Sequence, residues 1–174
     1  MKKTLFTLML ILSSALMLNA QSLTGKSWAA QLDDGQGHDV KMVMELNKGG
    51  DCLIALLAQL PMNKDGTKIL VEADAAVPGT YTVTGKALNV NLAKGNAQVE
   101  LNTKLLNSDL DAGTRKKLEG ILNNELIKQK KDILEGMLEC IPNMKNATIK
   151  TLTDTKLVIA AASGQEMEFV AVPD

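Results

Sequence analysis

The chain has 174 residues and a formal net charge of −1, and 45% of it is hydrophobic while only 2% is aromatic. A chain of this size makes one domain around one core, and with nine methionines against one Trp, one Tyr and two Phe that core has to be filled by aliphatic and thioether groups. The near-neutral balance, with no clustered basic stripe, argues against nucleic acid as a partner.

Met1-Lys2-Lys3-Thr4 carries the only charges before an almost wholly apolar run from Leu5 to Leu18, and Leu18-Asn19-Ala20 ends that run on a small residue. Residues 1–20 therefore read as a secretory signal peptide. The run is shorter than the roughly 20 residues a membrane-spanning helix needs, and no comparable stretch follows, so no membrane span is expected. The mature chain, residues 21–174, is expected to be exported and soluble, in the periplasm or outside the cell. Since residues 1–20 hold Lys2, Lys3 and no acid, its formal charge is −3.

Val40, Met42, Met44 and Leu46 alternate with Lys41 and Glu45, the period of a half-buried strand. A Gly-rich turn at Asn47 to Asp51 leads to a second strand, Cys52 to Leu60, apolar on both faces and expected to stop at Pro61. In a third strand Ile69, Val71 and Ala73 face away from Lys68, Glu72 and Asp74. Pro78-Gly79 reads as the opening of a fourth, Thr80 to Thr84, and Gly85-Lys86 joins it to a fifth, Ala87 to Leu92, with Gly first as a type II′ hairpin prefers. A sixth runs from Ala97 to Thr103.

The period then changes. Ser108-Asp109-Leu110-Asp111 has the look of a capping box, and Leu118, Ile121, Leu122, Leu126, Ile133, Leu134, Met137, Leu138 and Ile141 recur at helical spacing. A helical insertion is expected over about residues 105–141, broken near Asn123-Asn124 and ended by Pro142. Three strands close the chain: Ala147 to Leu152, Thr155 to Ala160 and Gln165 to Val172. Nine strands with an insertion between the sixth and seventh predict a mostly β, antiparallel barrel or sandwich.

No enzyme is expected. His38 is the only histidine and Arg115 the only arginine, and there is no Gly-x-Ser-x-Gly elbow. Gly25-Lys26-Ser27 lacks the leading glycine of a phosphate loop. Asp33, Asp34, His38 and Asp39 gather around two glycines, yet they lack the alternate spacing and terminal Glu of a calcium loop and read as a solvated turn, so neither metal nor other cofactor is expected. Cys52 and Cys140 have two readings. In an exported chain they can bridge, which would stabilise the fold by about 4 to 5 kcal/mol in the chain-entropy model; alternatively they are two separately buried thiols.

Leu23-Thr24-Gly25-Lys26-Ser27-Trp28, the stretch from Val77-Pro78-Gly79 to Thr84-Gly85, and Leu157-Val158-Ile159 through Glu168-Phe169-Val170 together resemble the small exported lipocalin-like domains of bacteria. The resemblance implies a closed barrel of about eight to nine strands that often holds a small apolar molecule. In that family the main helix follows the last barrel strand, whereas here it interrupts the sheet. Met42, Met44, Ile54, Leu56, Ile69, Val71, Tyr81, Val83, Leu88 and Val90 lie on the apolar phase of their strands and are the expected ligand-lining residues. They should border a cavity of about 300 Å³ or more, covered by Leu118 to Leu138. The alternative is an envelope protein-interaction or inhibitor module with a filled barrel, meeting a protein through its loops and helix face.

Overall fold

The computed structural model describes residues 23–32, 39–64, 67–106 and 110–173. The expected signal peptide, the Asp33 to His38 cluster and Ser108-Asp109 lie outside the described residues. The elements are β1 (Ser27–Leu32), β2 (Asp39–Leu46), β3 (Asp51–Lys64), β4 (Thr67–Thr84), β5 (Ala87–Leu92), β6 (Gln98–Leu105), α1 (Ala112–Lys128), α2 (Lys130–Glu139), β7 (Ala147–Leu152), β8 (Lys156–Ala160) and β9 (Glu166–Val172). No helix among the described residues is long and apolar enough to cross a membrane.

The nine strands of the described residues belong to one antiparallel sheet, in the order β3-β2-β1-β9-β8-β7-β5-β4-β6, and a further pairing of β3 with β4 turns that order into a ring. β4 makes the closure possible. One of its edges carries β3 from Thr67 to Thr80, and the other is shared between β6, along Ile69 to Ala76, and β5, along Gly79 to Thr84. The ring is thinnest between β5 and β7, which pair only at Ala87–Thr148 and Leu88–Ala147. There the segment before β7 continues the contact: Val90 N donates to Met144 O at 3.2 Å, and Asn146 N to Asn89 Oδ1 at 2.7 Å.

The count of nine agrees with the sequence reading for two compensating reasons. β1 was not expected. The third and fourth expected strands are a single strand that passes straight through Pro78-Gly79. Proline lacks the N–H a ladder needs, but Pro78 falls in the changeover where β6 has ended at Ala76 and β5 begins at Gly79, so no ladder partner is lost on that edge. Gly79 is required by the same crossing, since a Cβ there would sit 2.6 Å from the Asn91 carbonyl oxygen. Nor does Pro61 stop β3. Beyond Gln59 the strand has outrun β2 and keeps only β4 as a neighbour, and a strand with one bare edge tolerates proline.

The helical insertion does fall between the sixth and seventh strands, but it breaks at Gln129 and not near Asn123. Gln129 sits at φ −97°, ψ 4°, outside the helical wells. Asn123 stays helical and uses its side chain across the gap, where the buried Thr103 hydroxyl donates to Asn123 Oδ1 at 2.7 Å. The observed cap of α1 is Asp111, whose carboxylate accepts from Gly113 N and Thr114 N. α1 covers the edge of β6 that faces away from β4: Leu105 N donates to Glu119 Oε1 at 3.1 Å. That satisfies a donor an open strand edge would leave exposed.

Candidate functional site

The inward phase of the strands builds the core. Met42, Met44, Ile54, Leu56 and Leu88 have no accessible surface (0% each), and Ile69, Val71 and Val90 are buried. Tyr81 and Val83 are half-buried against the same core. On the doubly apolar β3, Ile54 and Leu56 turn inward while Leu57 is 38% exposed. Zero accessibility has a physical meaning here: no space large enough to admit a water molecule touches those five side chains.

The ten residues do not converge on one site. Ile69 and Val71 leave the main core for a satellite cluster with Leu105, flanked by Leu60, Leu110, Leu122 and Leu126. A pocket of about 90 Å³ lies there beneath α1, lined by Ile69, Val71, Met62, Thr103, Leu122 and Leu126 among others. Val83 borders a second of about 90 Å³ and Val90 a third of about 370 Å³. Two of the few aromatic rings also belong to the main core. Trp28 and Phe169 are both fully buried, and the indole is satisfied, Trp28 Nε1 donating to Leu23 O at 3.0 Å.

No disulfide joins the two cysteines. Cys52 is buried in the main core, where it pairs in register with Leu46 and Gly79. Burial, and then the neighbouring Asp51 charge, push its thiol pKa up, which disfavours the reactive thiolate. Cys140 follows α2, and its Sγ turns back on that helix to donate to Gly136 O at 3.5 Å. Burial likewise raises the Tyr81 phenol pKa, with Cys52 as the lesser cause; the hydroxyl donates to Asn47 O at 2.9 Å. Among the described residues no three His, Cys, Asp or Glu side chains come together as a metal site would require.

The outer face carries a feature the sequence reading did not name. Register places Val170, Ala29, Val43, Ala55 and Ala76 side by side in one row across β9, β1, β2, β3 and β4. At about 4.8 Å per strand the row is about 19 Å long. Lys156 stands beyond one end and Gln98 beyond the other. Leu53 and Leu57 widen it on β3, and Val170 is 56% exposed. Over its β3–β4–β6 end lies a concavity of about 200 Å³ bordered by Ala55, Leu57, Ala76, Asp74 and Glu100. Each of these positions alone reads as an ordinary surface residue; only the pairing register makes them a stripe.

No family model matches the chain, and no curated protein matches it.

Proposed function

We propose that the chain is an exported, non-enzymatic, lipocalin-like barrel that works through its outer surface, as an interaction module of the cell envelope. The observation that carries this reading is the contrast between the two faces of the ring. Its inner face is packed until Met42, Met44, Ile54, Leu56 and Leu88 lose all accessible surface, while its outer face keeps an apolar row from Val170 to Ala76 that water must cover. A sheet with one solvated face normally alternates apolar inside with polar outside, and contiguous exposed apolar surface marks interaction sites. The partner is a protein that brings an apolar surface to the row and polar groups to its rim of Lys41, Glu45, Asp74 and Lys156.

The test places a photoreactive residue at Val43 or Val170, with Asn102 on the outer face of β6 as the control. Adducts with one defined protein are expected at the first two positions only. Leu57→Lys should lower their yield about fivefold or more, the effect of removing roughly 1 kcal/mol of contact. Equal adducts at Asn102, or none at any position, would overturn the reading.

A second reading has a specific observation behind it: a small apolar ligand held between α1 and the sheet. The 90 Å³ pocket at Ile69 and Val71 is roofed by a helix with no buried residue, and lifting that helix would enlarge it. A thermal shift from a fatty-acid and sterol panel that vanishes in Val71→Asp is the expected signature, and its absence removes this reading.

A further inference from the structure

The 370 Å³ groove lies where the ring is thinnest, between the end of β5 and the segment that leads from α2 into β7. Its floor is apolar, made by Val90, Leu92, Ile141, Pro142 and Met144, and its rim holds Lys94, Lys145, Asn91 and Asn143. Among the described residues no carboxylate lines it. Lys94 Nζ donates to Leu138 O at 3.1 Å, at the end of α2, which occupies one of the three ammonium hydrogens and leaves two. Asn143 Oδ1 accepts from Lys145 N at 3.0 Å, so its acceptor is engaged within the loop.

The strand supplies one more donor. Val90 N reaches across to Met144 O, while Ala93 N bonds β4 at Pro78 O. By the alternation of an antiparallel strand, the amide of Leu92 points the same way as that of Val90, into the groove. Two cations, a backbone N–H and an apolar floor with no acid present are complementary to one kind of ligand.

We propose that this groove binds a small amphiphilic carboxylate, its anionic head between Lys94 and Lys145 and its apolar body on Ile141, Met144 and Leu92. The size fits. At about 30 Å³ per heavy atom, taking a water's share of liquid volume as the guide, 370 Å³ holds about a dozen. The inference does not depend on the outer-face reading, because no residue of the apolar row lines the groove.

The probe is decanoate, with 1-decanol as its uncharged counterpart, added to the protein purified after export. Decanoate should bind at least about tenfold more tightly than decanol, and raising the salt from about 0.05 to 0.5 M should narrow that gap, since exposed charges are screened. Decanoate should shift the isotope-labelled methyl signal of Met144 and leave that of Met42 unmoved. Lys145→Glu, which leaves the Lys94 contact with α2 intact, should abolish the preference for decanoate while the far-ultraviolet spectrum and Tm stay unchanged. Equal binding of the two probes, an unaltered preference in Lys145→Glu, or shifts that centre on Met62 beneath α1 would each overturn the proposal. Loss of the outer-face adducts would leave it standing.

Discussion

α1 and α2 come from one insertion, adjoin through a single residue, and meet very different surfaces. α2 lays Ile133, Leu134, Met137 and Leu138 against the main core, and Met137 is buried. α1, nearly twice as long, buries nothing: Leu122 and Leu126 rest half-covered on the satellite cluster of Ile69, Val71 and Leu105, while Leu118, Ile121 and Ile127 stay exposed. Apolar spacing defines a face of a helix, but the surface offered to that face decides how much of it is covered. α2 meets the main core, whereas α1 lies along β6 and meets only a satellite cluster of three buried side chains.

The largest expected effect breaks the anchored side. Met137→Ala removes a buried side chain from the main core and should cost about 2 to 3 kcal/mol. For a chain of this length that is a fall in Tm of about 4 to 12 °C, read by thermal unfolding. A loss no greater than that of an exposed α1 substitution would mean that α2 is not an anchor.

The same contrast explains what was legible in the sequence. Alternation is local, so β2, β5 and the last three strands were read almost to the residue, and the doubly apolar β3 could be phased. β1 escaped because Ser27-Trp28-Ala29-Ala30-Gln31-Leu32 has little polar contrast. β4 was cut in two because Pro78-Gly79 is turn chemistry in isolation, and only the handover from β6 to β5 makes it strand-compatible. Ring closure, the outer apolar row and the amphiphilic groove depend on which strands become neighbours. None of these is encoded within a single element, and so none could be found by its period.

A smaller effect sharpens the α1 side. Leu122→Ala should cost about 1 kcal/mol, as expected for a half-buried side chain, and Ile121→Ala should stay within about 0.5 kcal/mol of the parent. Native-state hydrogen exchange gives an independent reading of the same difference. The amides of α1 should open at a lower free energy than those of α2, because few buried contacts resist local unfolding there. Matching protection in the two helices would show that the hydrogen bonds from Thr103 and Leu105 hold α1 as firmly as packing holds α2.

The smallest effect is confined to the first turn of α1. In the folded chain the Asp111 carboxyl is held below its ordinary pKa, first by the Thr114 hydroxyl and then by the amides of Thr114 and Gly113. A carboxylate whose pKa is lowered by folding contributes its stabilisation above the ordinary aspartate range and loses it as the pH falls through the lowered value. The amide signals of Gly113 and Thr114, which donate at 2.9 and 3.0 Å, should therefore titrate with a midpoint below that of an unstructured aspartate. Asp111→Asn should abolish the titration and keep the helix start, since asparagine caps as well as aspartate; Asp111→Ala should lose both. Because α1 has little packing to hold its first turn, fraying in Asp111→Ala should spread towards Leu118 while the amides of α2 remain protected. If α2 loses protection together with α1, the two helices form one cooperative unit and the comparison fails.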